Sequence, residues 1–176
     1  MKNKISKTFG SLCLAALVLA AANSSVMGQE REVAGEEHRT SGSQSLNRIV
    51  GVWQTVVTPR NCQTGEQVAP SFIGLVTFNK GGTMSEYGAN PATPFRTPGH
   101  GVWQSGYRGE DSYLMDFTFI PLTPAGAPVG RLKVTQTLDY QRYLDESTTS
   151  GSFQLTNLAG VVIGSGCSTS TATRFR

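Results

Sequence analysis

The ten residues Arg131-Leu132-Lys133-Val134-Thr135-Gln136-Thr137-Leu138-Asp139-Tyr140 alternate without a break. Leu132, Val134, Gln136, Leu138 and Tyr140 fall on one side of an extended chain, and Arg131, Lys133, Thr135, Thr137 and Asp139 on the other. Successive strand side chains point to opposite faces, so this segment is a strand with one buried side. A second run repeats the pattern: Tyr113, Met115, Phe117 and Phe119 against Leu114, Asp116, Thr118 and Ile120. Glycine or proline interrupts every candidate helical stripe after residue 47. Turn residues instead mark off strands near 49–58, 71–79, 82–88, 100–107, 112–121, 129–139, 143–156 and 161–174. Lys80-Gly81-Gly82, Thr123-Pro124-Ala125-Gly126 and Asn157-Leu158-Ala159-Gly160 supply tight connections. The stretch 88–99 holds three prolines and is expected to be a long irregular loop, since proline cannot donate to a sheet ladder. The expected fold is all-β: an eight-stranded antiparallel up-and-down barrel, preferred to a sandwich because short hairpins join most neighbours and closure removes sheet edges.

The beginning of the chain has a different texture. Lys2, Lys4 and Lys7 precede an unbroken apolar and small run at 12–22, too short to span a bilayer. Residues 1–28 are expected to be a signal peptide cleaved before Gln29, with cleavage after Ala22 as the competing site. Residues 29–46 are polar and charged and are expected to form a flexible linker; residues 47–176 form one domain. Cys13 precedes most of the apolar run, which argues against a lipid anchor. Export to the periplasm or the medium follows, and no later segment is apolar for long enough to hold the chain in a membrane.

The whole chain carries 15 basic and 12 acidic residues, but three lysines leave with the signal. The mature charge is then zero, with no basic patch to neutralise phosphates, so nucleic acid is not an expected partner. Cys62 and Cys167 are the cysteines left after cleavage. An even pair in an oxidising compartment is expected to form one disulfide.

Gly51-Val52-Trp53 on the first strand of such a barrel resembles the lipocalin signature, within the wider calycin group. Arg174 stands where that family carries the arginine that covers the tryptophan at the closed end. Thr137-Leu138-Asp139-Tyr140 is similar to the family's Thr-Asp-Tyr motif with one residue inserted. Arg60-Asn61-Cys62-x-Thr64-Gly65 and Gly99-His100-Gly101-Val102-Trp103 are similar to stretches of secreted bacterial proteins described as lipocalin-like. Only two residues follow Arg174, so the helix that succeeds a lipocalin barrel is not expected. The resemblance implies a binder of small apolar molecules, with Gly51, Trp53 and Arg174 as structural residues.

The tetrapeptide Gly-Val-Trp-Gln occurs at 51–54 and at 101–104 and holds both tryptophans. The copies are expected to start corresponding strands, without a fixed-period repeat. Trp53 reads as a plug. Trp103 follows the proline-rich loop and can be a packing residue or a ligand contact at an open rim. His100, flanked by glycines, is either a turn histidine or a ligand neighbour; one histidine cannot make a zinc site, and Glu86 and Asp116 have no spacing that joins it.

The last strand places small residues on both faces, so Met115, Phe117 and Phe119 would oppose small side chains across the interior and leave room for a cavity. Gln136 would supply a buried amide there. Trp103, Met115, Phe117, Phe119, Gln136 and His100 are the cavity candidates. No catalytic set, metal site or cofactor fingerprint is found: the serine in Gly164-Ser165-Gly166 leads into a strand, not the helix of a nucleophile elbow.

The expectation is a monomeric or small oligomeric barrel holding a small, mostly apolar ligand. Two alternatives stand beside it. One is a cofactor-free isomerase or cyclase resembling allene oxide cyclase, which a buried carboxylate such as Glu86 or Asp116 would favour. The other is capture of a protein partner through loop 88–99.

Overall fold

A computed structural model describes residues 48–176; the expected signal peptide and the whole of the expected linker lie outside the described residues. Eight strands follow one another: β1 (Gly51–Arg60), β2 (Phe72–Phe78), β3 (Thr83–Gly88), β4 (Gly99–Ser105), β5 (Ser112–Phe119), β6 (Gly130–Gln141), β7 (Glu146–Asn157) and β8 (Val162–Arg174). Each pairs antiparallel with the next, and β1 pairs with β8, so the sheet closes into an up-and-down barrel with no exposed edge. No helix occurs among the described residues. The expected boundaries hold to within three residues; the largest difference is at β7, where residues 142–145 form a turn rather than part of the strand.

β1 leaves one end of the barrel and β8 returns to it, so that end carries the 79–82, 106–111 and 142–145 connections. It is plugged. Trp53 and Ile49 are fully buried there, and Trp53 Nε1 donates to Ile49 O at 2.8 Å. The guanidinium of Arg174 lies 4.3 Å from the centre of the Trp53 ring. It also donates to Asp145 Oδ1 and Val50 O, both at 2.7 Å, and to Arg48 O. Tyr140 meets the Trp53 ring edge-on at 5.9 Å.

Gly51 makes this cap possible. Its φ of 134° is a conformation open essentially to glycine, and a Cβ there would stand 2.8 Å from Arg174 Nη1. The Gly-x-Trp spacing then has a plain geometric cause. The glycine clears a path for the arginine, and the tryptophan two residues on shares its face and receives the guanidinium.

At the other end, the 61–71 segment turns back on itself, with Asn61 Oδ1 accepting from the Gln63 and Thr64 amides at 2.8 and 3.1 Å. Cys62 forms a disulfide with Cys167 of β8. The bond closes a loop with a sequence separation of 105. In the chain-entropy picture a loop of that length stabilises by about 4–5 kcal/mol.

Candidate functional site

The inward face of each strand follows from its alternation, and the faces differ in kind. β5 and β6 turn Met115, Phe117, Phe119, Val134 and Leu138 inward. β1, β7 and β8 turn in Thr55, Ser147, Thr149, Ser170 and Ala172, all buried. Large side chains therefore face small ones across the barrel, and the interior does not fill. A cavity of about 430 Å³ remains, within the size range of small-molecule sites. Trp53 and Phe78 line it toward the plugged end, and Ala69, Asn90, Thr93 and Arg96 line it toward the loop end.

Polar groups on the small-residue side satisfy one another. Thr149 and Ser170 share a 2.7 Å hydrogen bond between neighbouring strands. Gln136 Nε2 donates to Ser168 Oγ at 3.0 Å, although β7 lies between their strands. The residue of β7 between them is Gly151, paired with Gln136 on one side and Ser168 on the other. A Cβ on Gly151 would collide with the backbone of Thr135 and with Gln136 Cγ. Its absence lets the amide pass over β7 to the serine.

One ion pair stands in the cavity wall. Glu86 of β3 pairs across the sheet with Val76 and Gly99, both on inward faces. Arg96, from the 89–98 loop, donates through Nη2 to Glu86 Oε2 and through Nε to Thr97 O at 3.2 Å. The side chains are 3% exposed for Arg96 and 9% for Glu86. The guanidinium lies 3.6 Å from the Phe119 ring centre and 5.5 Å from that of Tyr87. Burial pushes the Glu86 carboxyl up, and the hydrogen bond and charge of Arg96 pull it back only in part. Thr93, which lines the same cavity, has its Oγ1 buried without a hydrogen-bond partner.

The sequence-derived candidates divide accordingly. Met115, Phe117, Phe119 and Gln136 all line the cavity. Trp103 does not stand at an open rim. It is packed near the plugged end, edge-on to Phe78 and Tyr113, and its Nε1 donates to Asn79 O and Thr83 O at 3.2 and 2.9 Å. Trp53, read chiefly as a plug, also lines the cavity. The two Gly-Val-Trp-Gln copies do not start corresponding strands: the first opens β1, whereas the second lies inside β4, which runs the opposite way.

His100 is exposed on the outer face of β4, paired with Ser85 and Thr118. Asp116 also faces outward, bonded by Thr135 and 3.5 Å from Lys133 Nζ. Among the described residues no cluster of three or more histidines, cysteines or carboxylates can hold a metal ion, and no helix is long and apolar enough to cross a membrane.

The sequence reading misses Arg96 and, on the hydroxyl side of the wall, Thr55, Ser147 and Thr149; the small residues of β8 it does offer. One signal is present: Met84, Glu86 and Gly88 alternate, so Glu86 shares the face of the apolar Met84. A shallower trough of about 560 Å³ crosses the outside of the barrel beside the disulfide. Arg60 is the one ionisable side chain in its lining, which otherwise consists mainly of hydroxyls, glycines and the cystine. The interior cavity, with its enclosed apolar wall and paired charges, is the candidate site.

No family model and no curated protein matches this chain. Among solved structures, the crystal structure of Rv2717c from M. tuberculosis is similar at 14% identity and a TM-score of 0.37, covering 77% of this chain and 98% of that one.

Proposed function

We propose that this protein is an exported barrel that carries a small, mostly apolar ligand in its interior. The observation that carries this reading is the 430 Å³ cavity, with Met115, Phe117, Phe119 and Val134 on one side and hydroxyl side chains on the other. An apolar wall with a few placed polar groups suits a molecule that gains affinity from burial and orientation from hydrogen bonds. Such a wall is also expensive to leave in water, which favours an occupant. The cystine between Cys62 and Cys167 is compatible with export, since disulfides persist in oxidising compartments.

The direct experiment is native mass spectrometry of the protein incubated with a lipophilic extract, followed by release and identification of retained compounds. A stoichiometric adduct of one apolar compound supports the reading. Recovery of ligand-free protein after saturating exposure argues against it.

A second reading, a cofactor-free isomerase or cyclase, has one observation in its favour. Glu86 is a carboxylate buried in the cavity wall, with its proton affinity raised by burial. A group so placed can take a proton from, or return it to, an apolar substrate. Turnover of a retained compound by the wild type, lost in Glu86→Gln with binding unchanged, would favour this reading over simple carriage.

A further inference from the structure

The Glu86–Arg96 pair uses less of its hydrogen-bonding capacity than its burial would lead one to expect. A guanidinium has five N–H donors and commonly grips a carboxylate through two parallel bonds. Here one bond joins the two side chains, from Nη2 to Oε2, and Nε is spent on the Thr97 carbonyl. Arg96 Nη1 and Glu86 Oε1 take no part in either bond. Both residues line the cavity, as does Thr93, whose buried hydroxyl is unpartnered. The Phe119 ring lies 3.6 Å from the guanidinium and the Tyr87 ring 5.5 Å from it. The cavity lining thus includes a charge-compensated pair that keeps a donor and an acceptor atom not used between its two members.

We infer that Glu86 and Arg96 recognise the polar head of the ligand, and that this head is a neutral group that both donates and accepts, such as a primary amide or a hydroxyl on an otherwise apolar chain. The inference rests on the cavity being a ligand site. A carbonyl or hydroxyl oxygen accepts from Arg96 Nη1, and the N–H or O–H of the same head donates to Glu86 Oε1. Charge decides against ionised heads. The pair compensates itself, so a carboxylate or ammonium entering beside it would be an unbalanced charge in a poorly solvated space.

Competition against the dye N-phenyl-1-naphthylamine at pH 8 tests this with four decyl probes: decanamide, 1-decanol, decanoate and decylammonium. The wild type is expected to bind the amide and the alcohol about tenfold or more tightly than either ion, in keeping with the cost of an uncompensated buried charge. Glu86→Gln leaves Arg96 without its counter-charge and is expected to shift preference toward decanoate by about tenfold relative to the wild type. Dye binding with all four heads within about threefold would overturn the inference and leave the cavity reading standing, since threefold is under 1 kcal/mol. Wild-type preference for either ion would overturn it equally. Absence of binding by dye and probes alike would overturn the cavity reading itself, and the inference with it. If Glu86→Gln does not fold, the wild-type series decides alone, and Thr93→Val is the second variant, expected to weaken decanamide while leaving the dye unaffected.

Discussion

Replacing Gly51 with alanine should destabilise the barrel by about 2–5 kcal/mol, with two separable causes. The first is conformational: at a φ of 134°, a residue with a Cβ incurs a strain of about 1–3 kcal/mol. The second is a collision. The new Cβ would stand 2.8 Å from Arg174 Nη1, the nitrogen that donates to Val50 O at 2.7 Å. Relieving it moves the guanidinium off the Trp53 ring and away from two backbone carbonyls. A cation–π contact of about 0.5–2 kcal/mol is weakened along with a charged hydrogen bond of similar worth. Gly126 is the control. It has a φ of 82°, and a methyl added there would meet nothing within 4 Å, so Gly126→Ala should cost only about 1–2 kcal/mol. Urea unfolding followed by tryptophan fluorescence and far-ultraviolet dichroism reads both. In an Arg174→Met background, Gly51→Ala should lose its collision component and retain the conformational one. Equal costs for Gly51→Ala and Gly126→Ala, or an unchanged cost without Arg174, would refute the account of the closed end.

Three further outcomes follow from the same geometry. The double variant Cys62→Ser, Cys167→Ser should lose about 4 kcal/mol of unfolding free energy, and the unfolded, non-reduced wild type should show no reactive thiol other than Cys13. Trp103→Phe should cost about 1–2 kcal/mol through its lost indole hydrogen bonds to Asn79 and Thr83, yet leave dye affinity unchanged; a large loss of affinity would contradict its placement outside the cavity. The Arg174 hydrogen bond holds the Asp145 carboxyl below its ordinary value, helped by the charge of Arg174 against a smaller opposing effect of burial. A depressed folded-state value means stabilisation present above the unfolded pKa of about 3.9 and lost as pH falls through the folded value. The advantage of wild type over Asp145→Asn, measured by denaturation, should therefore shrink between neutral pH and about pH 2.5, and a constant difference would contradict the assignment.

The barrel is legible in the sequence because each strand carries its own alternation and each hairpin its own turn residues. Strand β6 shows this best: its five inward positions on 131–140 can be read without knowing any partner strand. The cavity is half legible, since large inward residues on β5 and small ones on β8 imply unfilled space wherever the two strands face each other. The sequence leaves Trp103 open between packing and a rim contact, because its neighbours Gly99 and His100 suggest a rim. The direction of the strand decides the matter: β4 descends from the proline-rich loop, so a residue late in it sits near the plugged end. Gly151 cannot be read from sequence, since its role depends on a register that places it between Gln136 and Ser168. Arg96 cannot be read either, because its pairing with Glu86 is set by how an irregular loop folds and not by any sequence period.

The central claim is that the interior binds an apolar molecule, and filling the interior tests it most directly. Thr149 and Ser170 bond only to each other through their side chains, so replacing both with leucine removes donor and acceptor together, a change that can be nearly neutral for stability. The added volume projects into the cavity that both residues line. Titration of N-phenyl-1-naphthylamine should show saturable one-to-one binding to the wild type and none to the folded Thr149→Leu, Ser170→Leu variant. Equal affinity in the two proteins would place the dye elsewhere and contradict the claim.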